Sequence, residues 1–423
     1  MKIKTLVAVL LLSGGVTSTF AQTENCNSNS SISHEAVRAG NFKDAYAPCM
    51  AVLKDCPTLR YYTFTDAQKI LVGFLSQIKD RNSADYKKYF DANKDTKGKS
   101  YSKWGGFLQD VDKFDAAFFH IAPREAEKMD PQERIFLETA YSAIEDAGYK
   151  KEDVKGKKIG VFVGVMYNNY QLLALDQYQK DGETAVNTSF SAIANRVSYF
   201  FDFHGESMAI DTMCSSSITA LYSAFQSMKC GDIEGAIVGG VNLSLHYMKY
   251  LALSNGNFMS SDGRCKAFGA NGDGYVPGEG VGAIYLKTLK KALEDGDHVY
   301  GLVKSVALNH GGHTNGFTVP NPNAQAEVIK EAWRKAKIDP RTITCIEAHG
   351  TGTSLGDPIE ITGLSKAFME YTDELGFCSI GSVKSNIGHL ESAAGMAGIT
   401  KVLLEMKHQI LVPSIHSTEL NPF

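Results

Sequence analysis

The run Asp211-Thr212-Met213-Cys214-Ser215-Ser216-Ser217 constrains most tightly what this chain can fold into. Before it lies a short apolar stretch, Ser207-Met208-Ala209-Ile210, of strand length. After it, Ile218, Leu221, Phe225 and Met228 recur at the spacing of one helix face. A cysteine between the two therefore sits on a strand-to-helix turn, at a helix N-terminus. The positive end of the helix dipole favours a thiolate there, and the thiolate is the nucleophilic form. A buried cysteine that packs as a small hydrophobe fits the same pattern, so the turn alone leaves both readings open.

Two later segments repeat the arrangement with histidine. A strand-like stretch, 343–346, runs into Glu347-Ala348-His349-Gly350-Thr351-Gly352-Thr353. A second, 378–383, runs into Lys384-Ser385-Asn386-Ile387-Gly388-His389-Leu390-Glu391. Two histidines on glycine-flanked loops after strands, with a cysteine on a matching turn, make a Cys-His-His constellation of the kind that supports covalent catalysis through sulfur.

These segments resemble the active-site motifs of the ketosynthase domain of modular polyketide synthases, in the β-ketoacyl synthase and thiolase superfamily. Ser102-Lys103-Trp104-Gly105-Gly106-Phe107-Leu108, Met129-Asp130-Pro131-Gln132-Glu133-Arg134, Arg264-Cys265-Lys266-Ala267-Phe268 and Gly278-Glu279-Gly280-Val281-Gly282 follow the family order. The resemblance runs over about 86–422. It implies an α/β, thiolase-like, layered α-β-α-β-α fold, with Cys214 from one half and His349 and His389 from the other. It also implies a homodimer formed through 207–212.

The chemistry implied is decarboxylative Claisen condensation. Cys214 takes an acyl group from a phosphopantetheine thioester, and a malonyl-type extender on an acyl carrier protein loses carbon dioxide and attacks it. His349 and His389 are the implied hydrogen-bond donors, and Lys384 sets the electrostatics around them. Thr351 and Thr353 hold the pantetheine arm, and the Cys214 backbone N–H is half of an oxyanion hole. The domain itself binds no cofactor; phosphopantetheine is the substrate carrier. Met166, Tyr167 and Asn168 are expected near the acyl pocket, without specifying the acyl chain.

Each residue has a plainer alternative. Lys384 is a structural lysine in that case, and Thr351 and Thr353 satisfy loop backbone groups. Asp357 and Glu360 read as helix-start residues rather than acids or bases, with Pro358 first in the helix after an Asp357 cap. His310 and His313 have no third ligand nearby, so no metal site is expected. The glycines from Gly272 to Gly282 read as turns before a strand at 283–286. Basic residues are dispersed in a chain of net charge −4, which gives no nucleic-acid footprint. Helices are expected over 131–147, 324–337 and 392–407, and strands over 158–164, 235–243 and 301–307. This alternation is α/β.

The N-terminal region has a different character. Lys2 and Lys4, the apolar run 6–12, and Thr19 and Ala21 give 1–21 the anatomy of a secretory signal peptide. Its apolar run is too short to span a membrane. A helical head follows over 22–85, with a tetratricopeptide-like pattern at 36–46 and Cys26, Cys49 and Cys56. The ketosynthase domain is expected over 86–423, lacking the family's first strand and its C-terminal Gly-Phe-Gly-Gly region, so the fold is expected to be incomplete. The export-like signal conflicts with the cytoplasmic setting of a carrier-dependent enzyme and of the five later, evenly unpatterned cysteines. Two other functions follow from this conflict and from Cys214: a catalytically impaired fusion acting as a non-enzymatic exported protein, or an acyl-thioester transferase or hydrolase.

Overall fold

A computed structural model describes residues 90–182 and 188–422, together with Ala36, Ala39 and Asp44. The signal-like segment 1–21 lies outside the described residues. So does the head 22–85 with its three cysteines, apart from those three positions.

The described region opens with helices α1 (Pro123–Lys128), α2 (Pro131–Asp146) and α3 (Lys151–Val154). Strand β1 (Ile159–Gly164) leads to α4 (Tyr170–Asp181), α5 (Phe190–Phe201) and β2 (Ser207–Ile210). Next come α6 (Ser216–Cys230), β3 (Gly235–Asn242), α7 (Met248–Asn255), β4 (Gly280–Lys287) and α8 (Leu289–Asp295). The remaining part holds α9 (Pro322–Ala336), β5 (Cys345–Glu347), α10 (Gly356–Phe368), β6 (Ser379–Gly381), α11 (Lys384–Ile387) and α12 (Ala394–His408).

Four strands form one sheet in the order β2-β1-β3-β4. β1 runs parallel to both neighbours, with Val161 opposite Ser207 on one side and Ile237 on the other. β4 closes the row antiparallel, with Gly282 opposite Gly240. Every residue of β1 and β3 is buried. Their near-continuous apolar runs, IGVFVG and GAIVGGVN, suit strands covered on both faces. Alternation divides them between two cores. Ile159, Val161, Val163, Ile237 and Val241 pack with Phe136, Leu137, Ile193 and Val197 of α2 and α5. Phe162, Ala236 and Val238 pack with Ala220, Leu221 and Ala224 of α6 and Met396 of α12. The sheet is thus a layer between helices, and the α/β alternation expected from the sequence is present.

Local chemistry sets the element ends. The Asp130 carboxylate accepts from the Gln132 N–H at 2.8 Å, and Pro131 follows at the first helical position, starting α2. Gly231 takes a left-handed φ of 81° and stops α6. A second, two-stranded sheet pairs β5 with β6 in parallel, Ile346 opposite Ile380. Beside it α9 and α10 pack together through Trp333, whose ring lies 4.7 Å from that of Phe368. Among the described residues, no helix is long and apolar enough to cross a membrane.

Two expectations need correction. Residues 301–307 form no strand. The apolar pattern is there, but a strand exists only by pairing with a neighbouring backbone, and no ladder partner lies beside it among the described residues; Leu302 and Val303 stay 51% and 40% exposed. Gly280 and Gly282 are not turn residues but the first part of β4. A Cβ on Gly280 would lie 2.2 Å from the Leu390 side chain, so the glycine lets the 390s segment lie directly on the strand.

Candidate active site

The nucleophile turn is built by hydrogen bonds from its own polar residues. The Asp211 carboxylate accepts the Met213 N–H at 2.9 Å. Met213 itself adopts φ 58°, a left-handed conformation that non-glycine residues enter only under constraint. Ser216 accepts the Thr212 N–H at 2.9 Å, and its hydroxyl lies 2.6 Å from the Met213 carbonyl and 3.1 Å from that of Val165, just past β1. Ser215, at the N-cap of α6, donates to the Thr212 carbonyl at 2.8 Å. Cys214 is held between these anchors, partly exposed.

The helix N-terminus does not make Cys214 a resting thiolate. Burial, and then the Glu391 carboxylate, push the thiol up to about 11, against the opposing pull of Lys384 and Lys249. The pull of the helix end toward the thiolate is outweighed, not absent: the Cys214 backbone N–H still lowers the pKa, but loss of water costs the anion more than it returns.

The His349 loop hangs from α10. Glu360 accepts the backbone N–H of His349 at 2.7 Å and that of Gly350 at 2.8 Å. Asp357 accepts from Phe268 at 2.7 Å and from Gly352 at 3.1 Å. The helix begins at Gly356, so Asp357 is not its cap and Pro358 is not its first residue. The Thr353 hydroxyl does the capping, accepting the Gly356 N–H at 3.1 Å. That frees both carboxylates to hold the histidine loop.

The second loop is pinned from beneath. One Glu347 oxygen accepts the Val383 N–H at 2.7 Å; the other pairs with Lys401 at 2.6 Å. Lys384 opens α11 with 5% of its surface exposed. Burial lowers its pKa, against the carboxylates of Glu347 and Glu360.

His389 is almost wholly enclosed, and its ring nitrogens have different neighbours. Nδ1 accepts the Glu391 N–H at 2.9 Å. The proton of a neutral ring must then sit on Nε2. That Nε2 is buried and finds no hydrogen-bond partner. The ring packs edge-on against His349, centroids 5.3 Å apart, and against Tyr275 at 4.8 Å. Full burial first, and the Lys384 ammonium second, press His389 toward the neutral form; His349, open to the cleft on one side, is pressed the same way by the atoms crowded around its ring and then by Lys384. The His349 ring opens onto the cleft.

Cys214, His349 and Lys384 line one cavity of about 1430 Å³; His389 is not among its lining residues but packs its ring against that of His349. The structure therefore brings together the four residues singled out as catalytic. Thr351 and Thr353 lie side by side, hydroxyls 3.3 Å apart, outside the wall of that cavity. Met166, Tyr167 and Asn168 are outside it too; the Tyr167 ring instead lies 4.4 Å from the Lys249 ammonium. Among the described residues, no three His, Cys, Asp or Glu side chains gather as a metal site. The five described cysteines are free thiols.

Sequence reading passed over the supports. Glu360 and Asp357 were visible but assigned to a helix start, and Glu391 lay two residues past His389 without a role. Lys249 and Tyr275 carry no local signal, since their partner is far along the chain.

Comparison with known proteins bears on this geometry. Residues 68–292 match the β-ketoacyl synthase N-terminal domain and residues 300–418 the C-terminal domain. Polyketide synthase PksL of Bacillus subtilis (strain 168) is 61% identical over 345 residues, which is 80% of this chain and 8% of PksL. Polyketide synthase ThaG of Burkholderia thailandensis is 57% identical over 335 residues, 79% of this chain and 6% of ThaG. Among solved structures, the oxazolomycin ketosynthase domain OzmH KS7 of Streptomyces albus aligns with TM-score 0.78 and 53% identity, over 79% of this chain and 58% of that one. The ketosynthase from module 6 of the bacillaene synthase of Bacillus subtilis 168 aligns with TM-score 0.73 and 43% identity, over 78% and 57%. This chain thus spans under a tenth of PksL and ThaG and under two thirds of these two solved chains. The frame on which the cysteine and histidines meet is the thiolase-like one, and, matched in both its halves, the chain belongs to the β-ketoacyl synthase family, as a ketosynthase domain of the modular polyketide synthase type.

Proposed function

We propose that this chain catalyses decarboxylative Claisen condensation, joining an acyl group on Cys214 to a malonyl-type unit carried by an acyl carrier protein. The observation that carries the reading is the unpartnered, buried Nε2 of His389, whose ring lies 5.3 Å from that of His349, a residue lining the same cavity as Cys214. A buried N–H without an acceptor is costly unless something arrives to use it. An enolate oxygen is such an acceptor.

In the first step the Cys214 sulfur attacks the thioester carbonyl, and the pantetheine thiol leaves with the cysteine's proton. The Cys214 backbone N–H is half of the oxyanion hole for this step. In the second, the malonyl carboxylate leaves as carbon dioxide and its electron pair becomes an enolate, held by donors from His349 and His389. The enolate carbon then attacks the acyl-cysteine carbonyl; a C–C bond forms and the C–S bond breaks. The released thiolate takes up a proton, as a thiol pushed up to about 11 readily does. Neutral histidines suit the middle step, because they donate N–H bonds without giving the enolate a proton too early. Lys384 keeps them neutral by its charge. Thr351 and Thr353 are assigned to the pantetheine arm, which arrives as substrate on its carrier.

The expected assembly is a homodimer through β2, an edge strand whose Met208 is 42% exposed; a monomer by light scattering would remove that part. The expected setting is the cytoplasm, where carrier thioesters are made, and the ketosynthase domain is assigned to residues 86–423. The test is intact mass after incubation with an acyl-pantetheine thioester, beside Cys214→Ala, followed by a malonyl carrier protein. A mass gain of one acyl group, absent in the variant, and then a β-ketoacyl product are expected. Loading without a C–C bond would leave an acyl-thioester transferase or hydrolase, and no loading would remove the enzymatic reading.

A further inference from the structure

Lys249 has no place in the reaction above, yet it is the most deeply buried cation of the site. It is the second residue of α7, with its ammonium 2.5 Å from the Glu391 carboxylate and both side chains fully enclosed. The same ammonium donates to Asn242 Oδ1 at 3.1 Å. Asn242 donates to the Gly278 carbonyl at 2.7 Å, and the Gly278 N–H donates to the His389 carbonyl at 2.8 Å. On the other side, the Glu391 backbone N–H reaches His389 Nδ1 at 2.9 Å, and the Tyr275 hydroxyl donates to the Glu391 carboxylate at 3.2 Å while its ring lies against His389. Lys249 therefore closes a ring of contacts with His389 at its far side. One arm sets the backbone of the histidine, the other its imidazole.

The arm through Glu391 is under constraint. Glu391 has φ 49°, in the left-handed region where a residue with a Cβ stays only if its surroundings hold it. That conformation sets how the Glu391 side chain leaves the backbone unit whose N–H meets the ring of His389. A buried ion pair is a poor way to gain stability, because desolvating both charges offsets their attraction; apolar residues of the same size do as well or better. What an ion pair gives instead is direction. We propose that the buried Lys249–Glu391 pair is a positioning device for His389, anchoring residue 391 by its side chain so that its N–H stays on Nδ1, keeps that nitrogen an acceptor and leaves Nε2–H to meet the enolate. Lys249 touches neither substrate nor reacting atoms. The inference deepens the ketosynthase reading and rests on it for its kinetic consequences, but the state of the imidazole is a property of the free protein.

The test has two readouts. Histidine-labelled protein with His389→Asn as assignment control gives the ¹⁵N shifts of His389 directly. The unaltered protein should show a neutral ring protonated on Nε2 and hydrogen-bonded at Nδ1; a ring protonated on Nδ1, or on both nitrogens at neutral pH, overturns the proposal with no assay of activity. Lys249→Met alone would strand a buried carboxylate and risks unfolding, so the informative variant is Lys249→Met with Glu391→Gln, which removes both charges and keeps the Tyr275 bond. Its His389 signal should become a mixture of tautomers. Acylation of Cys214 should stay within a few fold, because the thiol loses the raising charge of Glu391 and the lowering charge of Lys249 together, while condensation falls about tenfold to a hundredfold, as small misplacements of a reacting group do. Unchanged tautomer and unchanged condensation, or an equal fall in both steps, would make the pair purely structural. If the unaltered protein acylates but never condenses, the function fails while the ¹⁵N result still decides the positioning claim.

Discussion

The two halves of the site are held by different forces. Cys214 stands on a turn fixed by close packing: β1 ends against the start of α6, and short hydroxyl and carboxylate bonds from Asp211, Ser215 and Ser216 close the loop. The histidine side is fixed by buried carboxylates. Glu360 holds the His349 loop and Glu347 the 383 turn through their carboxylates, while the ring of His389 is held by the Glu391 backbone N–H, whose own carboxylate pairs with Lys249. Packing resists deformation steeply and ignores pH, and the Cys214 side adds to it only the one carboxylate bond of Asp211. Carboxylates reaching backbone N–H groups depend on charge, and they can be weakened without disturbing the sheet. The two sides should therefore fail separately, one at acylation and the other at condensation.

The largest effect should come from the packed side. A Cβ at Gly164 would lie 2.5 Å from the Ser217 nitrogen and 2.7 Å from the Ser216 carbonyl carbon, both backbone atoms that cannot swing away. Gly164→Ala must push the start of α6, and Cys214 with it, off the end of β1. Acylation should fall by about a hundredfold or more, since small displacements of a nucleophile are that costly. The cost in stability should be about 1–3 kcal/mol, as for other overpacked cores. Acyl loading by mass and thermal unfolding measure the two. A normal acylation rate would show that the turn is not set by this contact.

A second measurement probes the same side without altering it. The Cys214 thiol is pushed up to about 11, so at pH 8 almost none of it is thiolate. Alkylation goes through the thiolate, and the thiolate fraction grows about tenfold per pH unit as long as pH is below the pKa. Reaction with iodoacetamide should climb at that slope from pH 7 to 10. At pH 8 it should be roughly two hundred times slower than for an exposed cysteine by thiolate fraction alone, followed as loss of acyl loading. A rate that levels off below pH 8 would mean that Lys384 and Lys249 prevail over burial and Glu391.

The same division explains what could be read in the sequence. Cys214, His349 and Lys384 announce themselves because each follows a strand closely, and His389 because it follows the short helix that Lys384 opens, all among glycines and serines whose local geometry is legible in a short window. β1, β3 and α6 are legible for the same reason: a continuous apolar run or a helical spacing is a local pattern. Residues 301–307 have such a pattern and still form no strand, because pairing is decided by a neighbour elsewhere. The carboxylate anchors were hidden for a related reason. Glu360 looks like any acid in a first helical turn until the loop it holds is seen above it, and Lys249 means nothing without Glu391. The thiol misled through burial, which no window around Cys214 reports.

A test confined to the histidine side is the substitution Glu360→Gln, whose effect should be smaller than that of Gly164→Ala. The carboxylate now accepts two N–H groups, from His349 and Gly350, one on each oxygen. A glutamine has one acceptor oxygen and an NH₂ that would face the other donor. Hydrogen bonds to a charged group contribute roughly 1.5–3 kcal/mol, and one of the two must break. Lys384 also loses one of the carboxylates that favour its charged form. The loop should loosen where His349 leaves β5, while the sheet and the nucleophile turn, which Glu360 does not touch, stay as they are. Condensation should fall roughly tenfold, in line with one lost bond, with acylation little changed. Equal falls in both steps would mean that the two halves of the site are mechanically one, and the contrast between a packed side and a charged side would have to be given up.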